Sequence, residues 1–239
     1  MEIEGAVVLV TGASMGIGQA TARRFAQAGA KLALVARSVE RLEALADTLR
    51  AEGTDTLVIP ADLCDATQVK QAIDRAIQHF GRIDVLINNA GQAAAGTVAE
   101  VNLVDVQQIM ALNVYAPLLA MQGVIPQMRL HGGGLIINVS SMVSRMHIPG
   151  LAAYTATKTA LNAISDTARV ELAPDNIRVI TILPRLTATD FGANSLGNQS
   201  QRRQQRAIDP NLPVDTPDHV AERIYSAALL EPEEQLMAP

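Results

Sequence analysis

The stretch Tyr154-Thr155-Ala156-Thr157-Lys158 holds the pair of side chains in this chain best suited to moving a proton. No Gly or Pro interrupts the residues from Leu151 to Ala173, so the segment reads as a helix. On a helix, residues i and i+4 share a face about one turn apart. A phenol titrates near about 10 and is a poor base near neutrality. An ammonium one turn away favours the phenolate and brings the Tyr toward general acid or base work. Any helix can carry Tyr and Lys at this spacing, so the pair needs a place in which to act.

The start of the chain supplies a candidate for that place. Ala6 to Val10 is a short Val-rich apolar run, read as a buried parallel strand. It leads into Thr11-Gly12-Ala13-Ser14-Met15-Gly16-Ile17-Gly18, and a helical pattern with Ala20, Phe25 and Ala28 follows until Gly29. A strand, a glycine-rich turn and a helix N-terminus together make an anion site, because glycines let the backbone approach a pyrophosphate while free N–H groups favour its charge. The spacing is G-x-x-x-G-x-G rather than the commoner G-x-G-x-x-G.

Lys31 to Ala36 reads as the second strand, whose end meets the adenosine ribose in dinucleotide folds. A carboxylate there suits a free 2′-hydroxyl, whereas a basic residue suits a 2′-phosphate. The chain has no carboxylate between Gly18 and Glu40, and places Ala36-Arg37-Ser38 at the selecting position. Arg37 can pair with the phosphate through its planar fork or simply begin the next helix in solvent. The balance favours NADP(H) and leaves NAD(H) open.

The remaining elements alternate. Ser38 is placed to cap a helix running to about Arg50, and Leu57 to Ile59 forms a third strand followed by Ala61-Asp62-Leu63. Asp62 can meet an adenine edge, or Asp62 or Asp65 can cap the helix that ends at Phe80-Gly81. Val85 to Ile87 is a fourth strand, ending in Asn88-Asn89-Ala90-Gly91, where the Asn pair suits hydrogen bonds between strand-end loops. A long helix over about Val104 to Met128 carries Asn113; Pro117, four residues on, denies it the usual backbone partner and could turn it inward. Gly132-Gly133-Gly134 turns into Leu135 to Val139, with Ser140 and Ser141 at the ligand-binding end of that strand. Arg178 to Leu183 is a sixth strand ending at Pro184. Phe191 to Pro213 has little periodicity and reads as a flap over a pocket or a surface loop. Thr216-Pro217 begins a last helix to about Leu230, and Gln235 to Met237 makes a short final strand. The expected fold is α/β, a doubly wound Rossmann-type parallel sheet with helices on both faces. It forms a single domain over residues 1–239, with a substrate flap around 190–214.

Composition narrows the function classes. The chain of 239 residues is 49% hydrophobic but only 3% aromatic and lacks Trp, so its core must be mainly aliphatic. A net charge of -5, with Arg202, Arg203 and Arg206 as the local basic cluster, argues against a nucleic-acid surface. Cys64 is the only cysteine, excluding an internal disulfide and fitting a reducing compartment. The acidic start and the lack of an apolar run of spanning length predict a cytoplasmic protein without membrane partners. His79, His131, His147 and His219 are dispersed, so no metal site is expected.

Taken together, these signals resemble the short-chain dehydrogenase/reductase family over nearly the whole chain. The matching residues in order are Thr11 to Gly18, Asp62, Asn88-Asn89-Ala90-Gly91, Asn113, Ser141, and Tyr154 with Lys158. Ser141 precedes Tyr154 by thirteen residues, the family's usual spacing, which favours it over Ser140. The resemblance implies an oxidoreductase interconverting a carbonyl and an alcohol of a small organic substrate by hydride transfer. Tyr154 would exchange the proton, Lys158 would hold the nicotinamide ribose and lower the Tyr pKa, and Ser141 would hydrogen-bond the carbonyl oxygen. Asn113 would position Lys158 through water. The implied cofactor contacts are Gly12, Ser14, Gly16, Ile17, Gly18, Arg37, Asp62, Leu63, Asn89, Ala90, Gly91, Tyr154, Lys158, Pro184, Thr187 and Thr189. The variable segments Ala93 to Thr97 and Val143 to Leu151, with the flap, would line the substrate pocket.

The chain departs from the family pattern in several places. Met15 stands where NADP-using members often carry a basic residue. Pro184-Arg185 replaces the usual Pro-Gly, and Thr187 the usual Val. Arg185 either faces the pocket toward an acidic substrate or points to solvent. The shorter tail and the small, aliphatic faces of the helices around Asn113 and Tyr154 predict a homodimer, with a tetramer open. The alternative functional reading is a non-catalytic NADP(H)-sensing regulator on the same fold. A sugar-nucleotide epimerase or dehydratase fits less well, since its substrate domain requires a longer chain.

Overall fold

Seven short runs rich in Val, Ile and Leu become seven parallel strands of one sheet in a computed structural model that describes residues 1–197, 213–230 and 234–236. The strands are β1 (Val7–Thr11), β2 (Lys31–Ala36), β3 (Thr56–Pro60), β4 (Val85–Asn88), β5 (Gly134–Val139), β6 (Ile177–Leu183) and β7 (Glu234–Leu236). The helices are α1 (Gly16–Gln27), α2 (Val39–Ala51), α3 (Ala66–Phe80), α4 (Leu103–Met110), α5 (Ala116–Leu130), α6 (Ala152–Leu172) and α7 (Pro217–Leu230). The spatial order is β3-β2-β1-β4-β5-β6-β7. The direction of winding therefore reverses between β1 and β4, and the crevice at their carboxyl ends is where such sheets bind ligands.

Side-chain alternation along the strands sorts the core into two layers. Val8, Val10, Leu32, Leu34, Ile180 and Ile182 meet Phe25 of α1, Leu42 and Leu45 of α2, and Val220 and Ile224 of α7. Their neighbours Val7, Leu9, Ala33, Val35 and Val179 face Val69 and Ile73 of α3, Ala120 and Val124 of α5, and Leu172 of α6. Burial on both faces accounts for near-continuous apolar strands that show no alternation in sequence.

Three local expectations are revised, and one open alternative is decided. Ser38 occupies the N-cap position of α2 but makes no capping bond, its hydroxyl donating instead to Glu40 at 3.3 Å. Asp65, not Asp62, caps α3, accepting from the N–H of Thr67 and Gln68. The last strand begins one residue earlier than expected, and Met237 lies outside the described residues. The helical stretch Leu103–Leu130 is long and apolar enough to cross a bilayer, contrary to the sequence reading, yet its inner side is core packed on α3 and the sheet.

Candidate active site

The carboxyl ends of β1 and β4 are tied into one unit by Thr11 and Asn89. The Thr11 hydroxyl donates to the Ile87 carbonyl (3.3 Å) and accepts from the N–H groups of Asn89 (3.0 Å) and Ala90 (3.1 Å). The Asn89 amide returns two bonds, to the carbonyls of Thr11 (2.9 Å) and Gly12 (3.3 Å). A Cβ on Gly12 would stand 2.9 Å from the Ala90 Cα, and one on Gly18 would collide with the Gly12 carbonyl and the Asn89 amide. Glycine is thus required for the loop to close onto β4. Gly16 has φ +56, and Met15 provides no side-chain cap, so the first N–H groups of α1 are left for an anion. Ser14 and Ile17 lie half-buried on this loop, and the residues present fit the pyrophosphate of a dinucleotide.

At the far side, Arg37 is exposed at the end of β2, where its charge reaches Cys64 on the loop after β3. Asp62 turns that loop by accepting from the Cys64 N–H at 3.0 Å, with Leu63 buried beside it. Sequence reasoning missed Arg41, one turn beyond Arg37 on α2. Its Nη1 reaches the Met15 sulfur at 3.5 Å, bringing a second guanidinium to the loop position that lacks a basic residue. Spacing of i and i+4 from Arg37 was the available signal.

The catalytic candidates converge on α6. Tyr154 (7% exposed) and Lys158 (2% exposed) are both buried, with the Lys Nζ 6.0 Å from the Tyr ring centroid. Ser141 begins the short turn after β5, and its side chain hydrogen-bonds Tyr154 and accepts from the Val143 N–H at 3.3 Å. Ser140 points the other way, its hydroxyl donating to the Lys158 carbonyl, so it joins β5 to α6. Burial pushes the Tyr154 phenol up from its ordinary value, opposed by the Ser141 hydrogen bond, and pushes the Lys158 ammonium down to about 8. The expected lowering of Tyr154 by Lys158 is absent in this geometry. Burial is the main influence on the phenol, and the ammonium is held by the Val139 carbonyl at 2.8 Å.

Asn113 sits in a π-helical turn (Ala111–Tyr115) between α4 and α5, just ahead of Pro117. Fully buried, it bonds the Gln92 backbone twice (2.9 and 2.8 Å) and the Thr157 hydroxyl (3.0 Å). Asn113 Oδ1 and Lys158 Nζ both face Gly91, 3.4 and 3.5 Å from where its Cβ would be, without bonding each other. Asn88 links instead to Asn138 (2.8 Å) in a structural role.

The segment after β6 closes over this arrangement. Pro184 is buried and its carbonyl accepts from the Met142 N–H at 2.9 Å. Arg185 is engaged within the fold: it forms a bidentate pair with Asp215 (3.2 and 3.0 Å), the two side chains being 20% and 8% exposed. Thr187 turns its hydroxyl back to the Arg185 carbonyl (3.0 Å), whereas Thr189 stands against Gly16. Phe191 lays its ring 5.5 Å from that of Tyr154, and Leu196 bridges Ala94, so the start of the expected flap packs beside Tyr154. The rest of the expected flap, 198–212, lies outside the described residues.

The short chain dehydrogenase family model matches residues 6–200. An Arabidopsis thaliana protein named 11-beta-hydroxysteroid dehydrogenase-like 2 is 36% identical over 217 residues, covering 86% of this chain and 70% of the plant protein. An uncharacterized oxidoreductase of Methylorubrum extorquens is 39% identical over 197 residues, 82% of this chain and 78% of its own. Among solved structures, a short chain dehydrogenase/reductase from Burkholderia phymatum in complex with NAD superimposes with a TM-score of 0.91 at 25% identity, over 99% of this chain and 90% of that one. A short-chain dehydrogenase from Sphingobium yanoikuyae in complex with NADPH gives 0.84 at 32% identity, over 97% of this chain and 87% of that one.

Proposed function

The chain belongs to the short-chain dehydrogenase/reductase family, oxidoreductases acting on CH–OH groups with a nicotinamide cofactor, and from that premise we propose that it interconverts a small carbonyl compound and its alcohol with NADP(H), Tyr154 carrying the proton. The observation that carries this reading is the hydrogen bond between the half-buried Ser141 and the buried Tyr154, placed beside Lys158 at the end of the sheet that also holds the glycine loop.

A bound nicotinamide supplies or accepts the hydride. The protein's own part is proton handling and orientation. With its pKa raised, Tyr154 rests protonated near neutrality and is ready to donate to a developing alkoxide, which favours reduction. The Ser141 hydroxyl steadies the same oxygen. With a pKa of about 8, Lys158 changes charge near physiological pH and can return a proton to the phenolate. Arg37 and Arg41 support NADP(H) over NAD(H), since two guanidiniums stand at the β2 edge of the loop and the nearby Glu40 carboxylate is engaged by Ser38. Exposed Val104, Tyr115 and Val170 support pairing of two copies through the α4–α5 and α6 faces, as a homodimer.

A panel of ketones, aldehydes and alcohols followed at the nicotinamide absorbance, with NADPH and NADH, tests the reading. Tyr154→Phe is expected to lower kcat by at least about 1000-fold while NADPH still binds. Turnover of that variant at a near wild-type rate overturns the assignment.

A further inference from the structure

One polar network beside the site has no part in the chemistry derived so far. Asn162 lies on α6 four residues past Lys158 and eight past Tyr154. Its Nδ2 donates to the Ser144 hydroxyl at 2.9 Å, and that hydroxyl donates to the Ser141 carbonyl at 2.7 Å. Ser144 and Ser141 belong to the same short turn, Met142–Arg145 with Ser141 at its start. That turn is therefore anchored to the helix that carries Tyr154. The second polar atom of Asn162, Oδ1, is buried and without a hydrogen-bond partner. An unpaired buried acceptor is unfavourable to the folded state. Leu, of similar shape, would avoid that penalty, so Asn at this position is poorly explained by stability.

We propose that Asn162 and Ser144 are positioning residues for the reaction, holding the Ser141 hydroxyl in register with Tyr154 through their common attachment to α6. The inference rests on the reading that Tyr154 and Ser141 share the reacting oxygen. It also gives the unfavourable Asn a purpose, since its amide N–H reaches from the helix to the Ser144 hydroxyl. Among the described residues, Lys158 on α6 is the charged group found beside the Tyr154 ring, and its bond goes to the Val139 carbonyl rather than to Asn162.

The test uses protein labelled with ¹³C at the tyrosine ζ carbon, whose NMR shift reports the hydrogen bond made by each phenol. The chain has three tyrosines, and Tyr154→Phe assigns the signal of interest. Ser141→Ala sets the full displacement for loss of the bond. Asn162→Leu and Ser144→Ala are each expected to produce at least half of it, with no fall in Tm for Asn162→Leu and rescue by Ser144→Thr. Kinetically, both variants should lower kcat about 5- to 20-fold with little change in NADPH Kd, and adding either to Ser141→Ala should bring no further loss. A Tyr154 signal displaced by less than half in Asn162→Leu overturns the positioning role. Full turnover by Tyr154→Phe would instead remove the catalytic reading on which it rests, so the two failures are told apart.

Discussion

Replacing Lys158 by Met should make the cofactor-free protein more stable at neutral pH and less active at every pH. Burial lowers the Lys158 ammonium from 10.5 to about 8. A fall of that size corresponds to about 3 kcal/mol of instability at pH 7, at about 1.4 kcal/mol per pH unit. Met matches the length of the stem and brings no charge. It leaves the Val139 carbonyl without the donor now 2.8 Å away, a loss of about 1–2 kcal/mol. The net gain at pH 7 is therefore about 1–2 kcal/mol, or roughly 2–8 °C in Tm for a chain of this size. The sign of the pH dependence is more diagnostic than the gain. Between about 8 and 10.5 the unfolded Lys holds a proton that the folded one has released, so wild-type stability rises with pH through that window while the Met variant lacks this contribution. Urea denaturation at pH 7.0 and 9.5 should show the variant's advantage shrinking by about 2 kcal/mol, enough to cancel or reverse it. Both pH values lie below the raised Tyr154 range, so the phenol contributes equally to both proteins. An advantage that stays constant with pH, or a variant that is less stable at pH 7, would refute the claim that a desolvated ammonium is stored in this site.

Other perturbations read separate parts of the molecule. Arg37→Ala should weaken NADPH binding by about 10- to 100-fold with little effect on NADH, and Arg41→Ala should do so more mildly, as measured by nicotinamide fluorescence; equal losses for the two cofactors would remove the phosphate contact. Arg185→Ala leaves the Asp215 carboxylate (8% exposed) without its bidentate partner, and should destabilise the fold by about 3 kcal/mol. Adding Asp215→Ala should recover most of that loss in chemical denaturation, and a purely additive double variant would show that the pair is not coupled.

The parts of this fold that were legible are those written in local chemistry. Apolar runs buried on both faces read as strands, and Gly12 and Gly18 mark a loop where backbone must touch backbone. Pro117 hinted at a helix fault, and the fault is a π turn that aims Asn113 inward. Contacts that skip along the chain were illegible. The partner of Arg185 lies thirty residues away at Asp215, and no spacing rule connects them. The choice between Ser140 and Ser141 rested on family spacing, because strand-end position alone cannot say which hydroxyl turns to the helix backbone; the Ser140 hydroxyl does so, bonding the Lys158 carbonyl. The pKa of Tyr154 shows a different shortfall. Sequence supplies the charge of its neighbour but not the depth of burial, and depth wins here.

The site is held by cross-links from a single helix in addition to the apolar core beneath it. From α6, Thr157 is bonded to Asn113 in the π turn, Lys158 to the end of β5, Asn162 to the turn of Ser141, and Ser165 to Asn138. Asn138 in turn accepts from Asn88, whose neighbour Asn89 pins the glycine loop. A chain of polar contacts thus runs from the proton-transfer residues to the strand that carries the nucleotide loop. Each link is directional, so its geometry cannot slide as apolar surfaces can. Such a buried network is strongest where its members are paired, since a missing partner strands a donor or acceptor away from water, as at Asn162 Oδ1. A helix fixed in this way can present a phenol and an ammonium against the desolvation that would otherwise favour their retreat. The low stability that burial of Lys158 imposes and the placement that α6 enforces are therefore two results of the same design, in which folding free energy is given up to keep reactive groups in a dry, defined position.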